Sequence, residues 1–338
     1  MMTSSPRDSG ADRTTPMGPG GEFDLIRSLL GESQDLDPAV LVGPGDDAAV
    51  LQAERLVVST DLTVEGVHFR RSWISLEEAG FRAVTAAASD LAAMAARPVG
   101  VLISLAVKTD EAEAVSAELG SGIRSALRDL GTALVGGDLT ASPGPVVLDV
   151  TVLGEATEPV VRRGAVAGDE IWVTGVLGGS SGAVRAWNAG TEPGRGLREA
   201  FARPVARIQE ARWLAEHGDV HAMIDLSDGL AGDAGHLAAA SGVRIEIESD
   251  LIPIHPELDV GDVDLALSGG EDYELCIASA PGIMSPLVEV FRARFETPLT
   301  QVGRVLEGEG VHIDGWKSLG GDGSAGGFDH FTPRETPC

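Results

Sequence analysis

Short apolar runs alternate with helical patterns along the chain, and this alternation restricts the folds that the sequence can adopt. Between two such runs, Ser75 and Glu78 form a capping-box pattern, which predicts a helix from Ser75 to about Ala96. Strands that alternate with helices predict mixed α/β layers. In the first half of the chain, apolar runs typical of strands occupy 48–51, 56–60, 99–107, 132–135 and 146–153.

The same pattern continues after a polar, turn-rich segment at 155–168, so this segment is the expected domain boundary. A length of 338 residues also favours two domains. We therefore predict a disordered tail over 1–21, an N-terminal domain over 22–155 and a C-terminal domain over 156–338. The predicted fold class is α/β with mixed sheets.

The charge balance excludes several kinds of partner. The chain has 25 Lys and Arg against 52 Asp and Glu, a net formal charge of −27. Such a chain offers no basic face for nucleic acid or for anionic membrane. The most apolar region, 83–107, is interrupted by Asp90, Arg97 and Pro98, and no signal-peptide pattern precedes it. We expect a cytoplasmic protein that binds small molecules.

Aspartates recur beside glycines or next to predicted strands, where loops line ligand crevices in α/β folds. Asp90 differs, because it lies in an Ala-rich helix that is apolar nearly all round and is therefore predicted to be buried. A buried ionised Asp needs a partner or a metal. The other aspartates of this set are Asp46, Asp47, Asp61, Asp138, Asp225, Asp228 and Asp272.

If these carboxylates converge, cations must separate them. Two carboxylates 4 Å apart repel each other by about 4 kcal/mol at an effective dielectric constant of 20. Oxygen ligands without clustered Cys or His favour Mg²⁺, Mn²⁺ or Ca²⁺ over zinc. Mg²⁺ completes its shell with water and phosphate oxygens, so the pattern predicts Mg²⁺-dependent nucleotide chemistry with in-line phosphoryl transfer.

Eight motifs, in order from about Gly21 to Phe331, resemble the thiamine-monophosphate kinase family. They are Gly45-Asp46-Asp47-Ala48, Ser59-Thr60-Asp61, Gly66-Val67-His68-Phe69, Ser89-Asp90-Leu91-Ala92-Ala93-Met94, Gly136-Gly137-Asp138, Ile224-Asp225-Leu226-Ser227-Asp228-Gly229-Leu230, Ser268-Gly269-Gly270-Glu271-Asp272-Tyr273-Glu274-Leu275 and Asp329-His330-Phe331. Each motif alone is weak, whereas their order is specific.

The resemblance implies ATP-dependent phosphorylation of thiamine monophosphate to thiamine diphosphate, with ATP as co-substrate and several Mg²⁺ ions. It implies the aminoimidazole ribonucleotide synthetase-like fold, a homodimer formed through the N-terminal domain, and a C-terminal domain that closes over the site. The implied catalytic residues are Asp46, Asp47, Asp225 and Asp228.

The resemblance also assigns the ligands. The implied metal ligands are Asp46, Asp47, Thr60, Asp61, Asp90, Asp138, Asp225 and Asp228. The implied ATP contacts are Ser59, Gly137, Asp138, Arg163 and Ser227. The implied contacts to thiamine phosphate are His68, Glu271 and Phe328.

Two other functions stay open at this point. A nucleotide sensor on the same fold would bind Mg·ATP and leave it intact, and a related enzyme would use ATP to activate an amide or formyl group. A selenophosphate synthetase is disfavoured, because the chain has no Cys before Cys276 and no Lys before Lys108. Cys338 is interpreted as incidental, because it follows an ending that resembles the kinases.

Overall fold

The computed structural model describes residues 21–31, 35–44, 49–52 and 55–316. The chain divides into two compact units. The first consists of the described residues up to Ala87 together with Pro98–Glu155, and the second consists of Ala88–Arg97 together with the described residues from Ala156 onward. The predicted site residues Asp46, Asp47 and Phe328 lie outside the described residues, as do Cys338 and all of the predicted tail except Gly21.

The first unit contains a four-stranded sheet with the strand order β3-β6-β4-β5 and a small antiparallel pair, β1-β2. Strand β3 is antiparallel to β6 at one edge, and β5 is parallel to β4 at the other. The elements up to residue 155 are α1 (Gly21–Leu30), β1 (Val40–Val42), β2 (Val50–Leu51), β3 (Leu56–Val64), α2 (Leu76–Ala93), β4 (Arg97–Val107), α3 (Ala112–Leu130), β5 (Leu134–Ala141) and β6 (Val147–Glu155).

Local sequence signals explain the limits of these helices. The N–H of Ser75 donates to the Glu78 carboxylate and the N–H of Glu78 donates to Ser75 Oγ, which confirms the predicted capping box. Gly131 ends α3 with φ 65°, a left-handed conformation that glycine adopts without strain. A Cβ atom on Gly122 would lie 1.7 Å from the carbonyl oxygen of Glu77, so only glycine allows α2 and α3 to approach this closely.

The second unit is built on a six-stranded sheet with the order β12-β9-β11-β7-β10-β8. Neighbouring strands are antiparallel except β9 and β12, which are parallel. The elements are β7 (Glu170–Thr174), α4 (Gly179–Asn188), α5 (Arg195–Ala202), α6 (Ile208–His217), β8 (Val220–Asp225), α7 (Leu230–Ser241), β9 (Arg244–Glu248), α8 (Val263–Ser268), β10 (Leu275–Ser279), α9 (Val288–Phe295), β11 (Leu299–Leu306) and β12 (Gly310–Asp314).

One apolar core joins this sheet to α7. Ile171, Ile224 and Ile245 come from three different strands and pack in the same buried cluster as Leu230 and Leu237 of α7. This packing fixes the strand-to-helix connection 226–229, which links the end of β8 to the start of α7. The core therefore determines where the Asp225 motif lies.

The structure corrects several expectations from the sequence. Asp61 does not close a strand but lies inside β3, and Asp138 lies inside β5 rather than after it, because both strands continue past their apolar runs. Helix α5 and strand β12 were not predicted. Gly21 begins α1, although it was assigned to the tail. Among the described residues, no helix combines the length and the apolar character needed to cross a membrane.

Candidate active site

Asp225 lies at the carboxyl end of β8 and is almost completely buried. Ser89, in the Ala-rich part of α2 that belongs to the same unit, donates a hydrogen bond from Oγ to Asp225 Oδ2 at 2.5 Å. The helix is buried along residues 79–89, as its sequence predicted. The alanines around Ser89 have small side chains, which suits close approach of the Asp225 loop. The structure thus brings the Ser89-Asp90 motif together with the Asp225 motif.

The environment of Asp225 disfavours its charge. Burial, followed by the negative charge of Asp90, raises the pKa of Asp225 to about 6, although the Ser89 hydrogen bond and the positive charge of Arg162 act in the opposite direction. Asp90 itself is partly exposed, so the prediction that it is buried is wrong. Two neighbouring carboxylates, one of them buried, favour a cation between them. Arg162, whose charge acts on Asp225, is the chain neighbour of Arg163, for which the resemblance implies an ATP contact.

Asp233 supports the loop that carries Asp225 and Asp228. Its Oδ2 accepts the backbone N–H of Asp228 at 3.0 Å, and its carboxyl group also accepts a backbone hydrogen bond from Ser227. The side chain is buried, and this burial raises the pKa of Asp233 to about 8. Sequence analysis missed this residue. Its only signal was an acidic residue in the first turn of a helix that follows the Asp-Leu-Ser-Asp-Gly motif.

The segment 269–273 packs on the same loop. The N–H of Glu271 donates to the carbonyl oxygen of Ser227 at 2.8 Å, and the N–H of Tyr273 donates to that of Leu226, also at 2.8 Å. A Cβ atom on Gly270 would lie 2.3 Å from the carbonyl oxygen of Ser227, so glycine is required for this approach. The structure thereby brings the predicted residues Ser227, Asp228 and Glu271 together.

The predicted residues of the first unit lie on two different strands. Ser59, Thr60 and Asp61 are on β3 and Gly137 and Asp138 are on β5, which form opposite edges of the four-stranded sheet. Three strand spacings separate these edges, about 14 Å. Within this unit, therefore, the sheet does not bring Thr60 and Asp61 together with Asp138.

Thr60 has a partner that sequence analysis missed. Its Oγ1 donates to Asp149 Oδ1 at 2.7 Å across the β3–β6 pair. Asp149 lies in the apolar run 146–153 that predicted a strand. The only indication of a role for it in the sequence was the alternation of polar and apolar residues in β6. On β5, a Cβ atom on Gly137 would lie 1.9 Å from the carbonyl oxygen of Ile103, so the glycine next to Asp138 is required by the pairing with β4.

His68 follows β3 in a turn that fixes its ring. Its Nδ1 accepts the backbone N–H of Val64 at 3.0 Å, so the neutral ring carries its hydrogen on Nε2. The turn is held by Arg71, whose guanidinium forms ion pairs with Glu65 at 2.8 Å and with Glu111 at 2.7 Å. The ring therefore has a fixed tautomer, with Nε2–H as its donor.

The described residues supply some, but not all, of the ligands that a divalent cation requires. Asp90 and Asp225 supply neighbouring carboxylate oxygens, the ligand type that Mg²⁺ prefers. Over residues 21–31, 35–44, 49–52 and 55–316, no group of three or more His, Cys, Asp or Glu side chains is placed to hold a metal ion. Asp46 and Asp47, which the sequence predicts as further ligands, lie outside these ranges.

Comparisons with known proteins identify both halves of the chain. Residues 45–156 match the N-terminal domain of AIR synthase related proteins, and residues 166–315 match the C-terminal domain. A thiamine-monophosphate kinase from Rhodopirellula baltica is 34% identical, with 88% of this chain and 92% of the relative covered.

Solved structures agree with this match. The thiamine-monophosphate kinase of Stenotrophomonas maltophilia has a TM-score of 0.76 and 34% identity over 87% of this chain and 95% of the other. A structure described as AaThiL complexed with AMPPCP and TMP has a TM-score of 0.73 and 32% identity over 91% of this chain and 96% of the other.

Proposed function

This chain belongs to the thiamine-monophosphate kinase family, and we propose that it transfers a phosphoryl group from ATP directly to the phosphate of thiamine monophosphate, assisted by divalent ions. The observation that carries the proposal is the convergence, within the second unit, of the Ser89-Asp90, Asp225–Asp228 and Glu271 motifs. A related protein that is similar over most of this chain is described in complex with AMPPCP and TMP, which supports these two substrates.

The proposed chemistry requires positioning rather than a protein nucleophile. A phosphate monoester is already a nucleophile near neutral pH, so no covalent enzyme intermediate is expected. Bound Mg²⁺ ions would neutralise the charge of the donor and acceptor phosphates. Asp90 and Asp225 would hold such an ion, and Asp233 would keep the backbone of the Ser227-Asp228 loop in place. His68 would offer Nε2–H to an oxygen of the acceptor.

The complete assignment follows the family motifs. We assign ATP contacts to Ser59, Gly137, Asp138, Arg163 and Ser227, and acceptor contacts to His68, Glu271 and Phe328. The structure adds Arg162 as a second candidate for the arginine contact, because its charge acts on Asp225. The proposed metal ligands are Asp46, Asp47, Thr60, Asp61, Asp90, Asp138, Asp225 and Asp228.

We also propose that the chain forms a homodimer through the N-terminal domain, residues 22–155. Along β3, residues Leu56, Val58, Thr60 and Leu62 are exposed, whereas Val57 and Thr63 are buried. Alternate residues of a strand share one face, so this edge strand presents an exposed, mainly apolar face. A second copy of the chain is the occupant that we propose for this face, because an edge strand with apolar side chains favours pairing with another strand.

The experiment that tests the proposed activity is an assay with ATP, Mg²⁺ and thiamine monophosphate, in which ADP and thiamine diphosphate are both measured. We expect equal amounts of the two products. ATP that binds with Mg²⁺ but stays intact would instead establish the sensor, and turnover only with an amide or formyl acceptor would establish the related enzyme class.

A pair of variants tests the assigned metal position. Asp225→Asn should raise the Mg²⁺ concentration required for half-maximal activity at least tenfold, because it removes a charge from the proposed ion. Asp250→Asn is the matched control, since Asp250 is exposed in a short turn and has no assigned role. If the two variants respond equally to Mg²⁺, the assignment of Asp225 is wrong.

A further inference from the structure

Asp272 closes the N-terminal end of helix α4. Its Oδ2 accepts the backbone N–H of Gly178 at 2.7 Å, and its carboxyl group also accepts a backbone hydrogen bond from Ser180. These are N–H groups at the start of a helix, where no partner inside the helix is available. The glycine-rich turn before α4 could otherwise offer them to a phosphate. In this chain an internal carboxylate takes that place.

The residues on either side of Asp272 have unusual backbone conformations. Glu271 has φ 71° and Tyr273 has φ 54°, both in the left-handed region that non-glycine residues rarely adopt. Such conformations persist only where surrounding contacts impose them. The Asp272 side chain lies between the two and is anchored to a rigid helix. It is therefore well placed to impose both.

The backbone of Glu271 is held on both sides as well. Ser180 Oγ donates to the carbonyl oxygen of Glu271 at 2.7 Å, while the Glu271 N–H donates to the carbonyl oxygen of Ser227 at 2.8 Å. One residue earlier, Ser181 Oγ donates to the carbonyl oxygen of Gly270 at 3.3 Å. The segment is thus fixed between the first turn of α4 and the loop of Ser227, and the Asp272 carboxyl group anchors it on α4.

We propose that Asp272 is a positioning residue for the kinase reaction, because its carboxyl group locks the segment 269–273 onto α4 and so fixes Glu271 for contact with thiamine phosphate. The proposal rests on the proposed function of Glu271 as an acceptor contact. Asp272 itself touches the backbone of α4 and is not assigned a contact with either substrate. Its effect should fall on the acceptor more than on ATP, because the loop of the ATP contact Ser227 is also held by Asp233, which accepts the Asp228 N–H.

The test compares Asp272→Ala and the milder Ser180→Ala with a matched control, Glu257→Ala. Glu257 Oε1 accepts the N–H of Gly196 at 2.8 Å at the start of α5, so the control removes a carboxylate from another helix N-terminus. We expect KM for thiamine monophosphate to rise at least tenfold in Asp272→Ala and by a smaller factor in Ser180→Ala. KM for ATP should stay within twofold of wild type in all three variants.

A second measurement keeps the proposal testable if Asp272→Ala does not fold. Hydrogen exchange of the Glu271 and Tyr273 amides should accelerate in Asp272→Asn, which keeps the size of the side chain but has one oxygen acceptor fewer, and stay unchanged in Glu257→Ala. The proposal is overturned if Asp272→Ala folds with both KM values unchanged, or if both KM values rise equally. It is also overturned if exchange at these amides is unaltered in Asp272→Asn.

Assays of the wild-type protein and of Glu271→Ala distinguish a failure of this proposal from a failure of the proposed function. Absence of thiamine diphosphate formation by the wild type would refute the proposed function itself. An active wild type whose Glu271→Ala variant keeps its KM for thiamine monophosphate would refute the role of Glu271, and with it the positioning role. An active wild type with a raised KM in both Glu271→Ala and Asp272→Ala supports the proposal.

Discussion

Replacing Val58 by Lys should weaken the proposed dimer, and the exposure of β3 gives the size of the effect. Leu56, Val58 and Leu62 are 49%, 54% and 50% exposed. Complete burial of such a side chain contributes about 1.5–3 kcal/mol, so each has roughly half of this left to gain in an interface. Three side chains from each of two copies then contribute about 4.5–9 kcal/mol to association.

The variant removes one third of this contribution and adds a charge to each side of the interface. Losing Val58 from both copies costs about 1.5–3 kcal/mol, which corresponds to a dissociation constant raised roughly 10- to 100-fold. Burial of the two ammonium groups adds to that loss. Because Ser59, Thr60 and Asp61 lie on the same strand, specific activity should fall at protein concentrations where the variant is monomeric.

Analytical ultracentrifugation over a dilution series measures this dissociation constant directly. Val205→Lys is the matched control, because Val205 is also 54% exposed but lies in the second unit. The control should dissociate like the wild type. The reasoning is refuted if Val58→Lys and Val205→Lys give the same dissociation constant, or if the wild type is monomeric at every concentration.

Two further predictions concern the stability of the second unit. Glu274 is buried and pairs with Arg207, whose Nε donates to Glu274 Oε2 at 2.7 Å. Glu210 also pairs with Arg207, at 3.2 Å, and would still balance its charge in Glu274→Gln. This variant should therefore lower the free energy of unfolding in urea titrations by about 1.5–3 kcal/mol, the contribution of a hydrogen bond between charged groups, and a loss below about 0.5 kcal/mol would contradict this. Burial raises the pKa of Asp272 to about 8, so between pH 4 and pH 8 the folded state keeps a proton that the unfolded state loses. The free energy of unfolding should therefore decrease by up to about 1.4 kcal/mol for each pH unit of increase in this range. Asp272→Asn should flatten this slope, whereas parallel pH profiles of the variant and the wild type would exclude the contribution.

Local signals in the sequence were sufficient for much of the fold. The helix beginning after Ser75 was predicted because its capping box is complete within four residues. Strands were likewise predicted from the apolar runs 99–107 and 146–153, where the structure has β4 and β6. These features depend on neighbouring residues, and so they are visible in one sequence.

Polar strands were harder to predict. Asp61 and Asp138 were placed after their strands, since apolar character stops before them. In the structure both lie inside strands at the edges of a sheet, where a residue can be partly exposed and still pair along its backbone. The missing strand β12 is also an edge strand, with exposed residues along most of its length. The hydrophobic pattern alone therefore underestimates the length of edge strands and can miss them entirely.

The supporting residues of the candidate site could not be predicted for a different reason. Asp149 and Asp233 resemble the other acidic residues of a chain with 52 of them, and only their partners distinguish them. Asp272 was among the aspartates that the sequence singled out, but its supporting contact with α4 was not predicted. Each of these three residues accepts a hydrogen bond that fixes a residue or a loop of the candidate site: the Thr60 hydroxyl, the Asp228 N–H and the Gly178 N–H. Thr60 is distant from Asp149 in sequence, and so is Gly178 from Asp272, so no local spacing encodes these contacts. The acidic composition therefore serves two purposes, because some carboxyl groups are proposed to bind ions, while others bond to the protein and hold residues of the candidate site, such as Thr60, Asp228 and Glu271, in place.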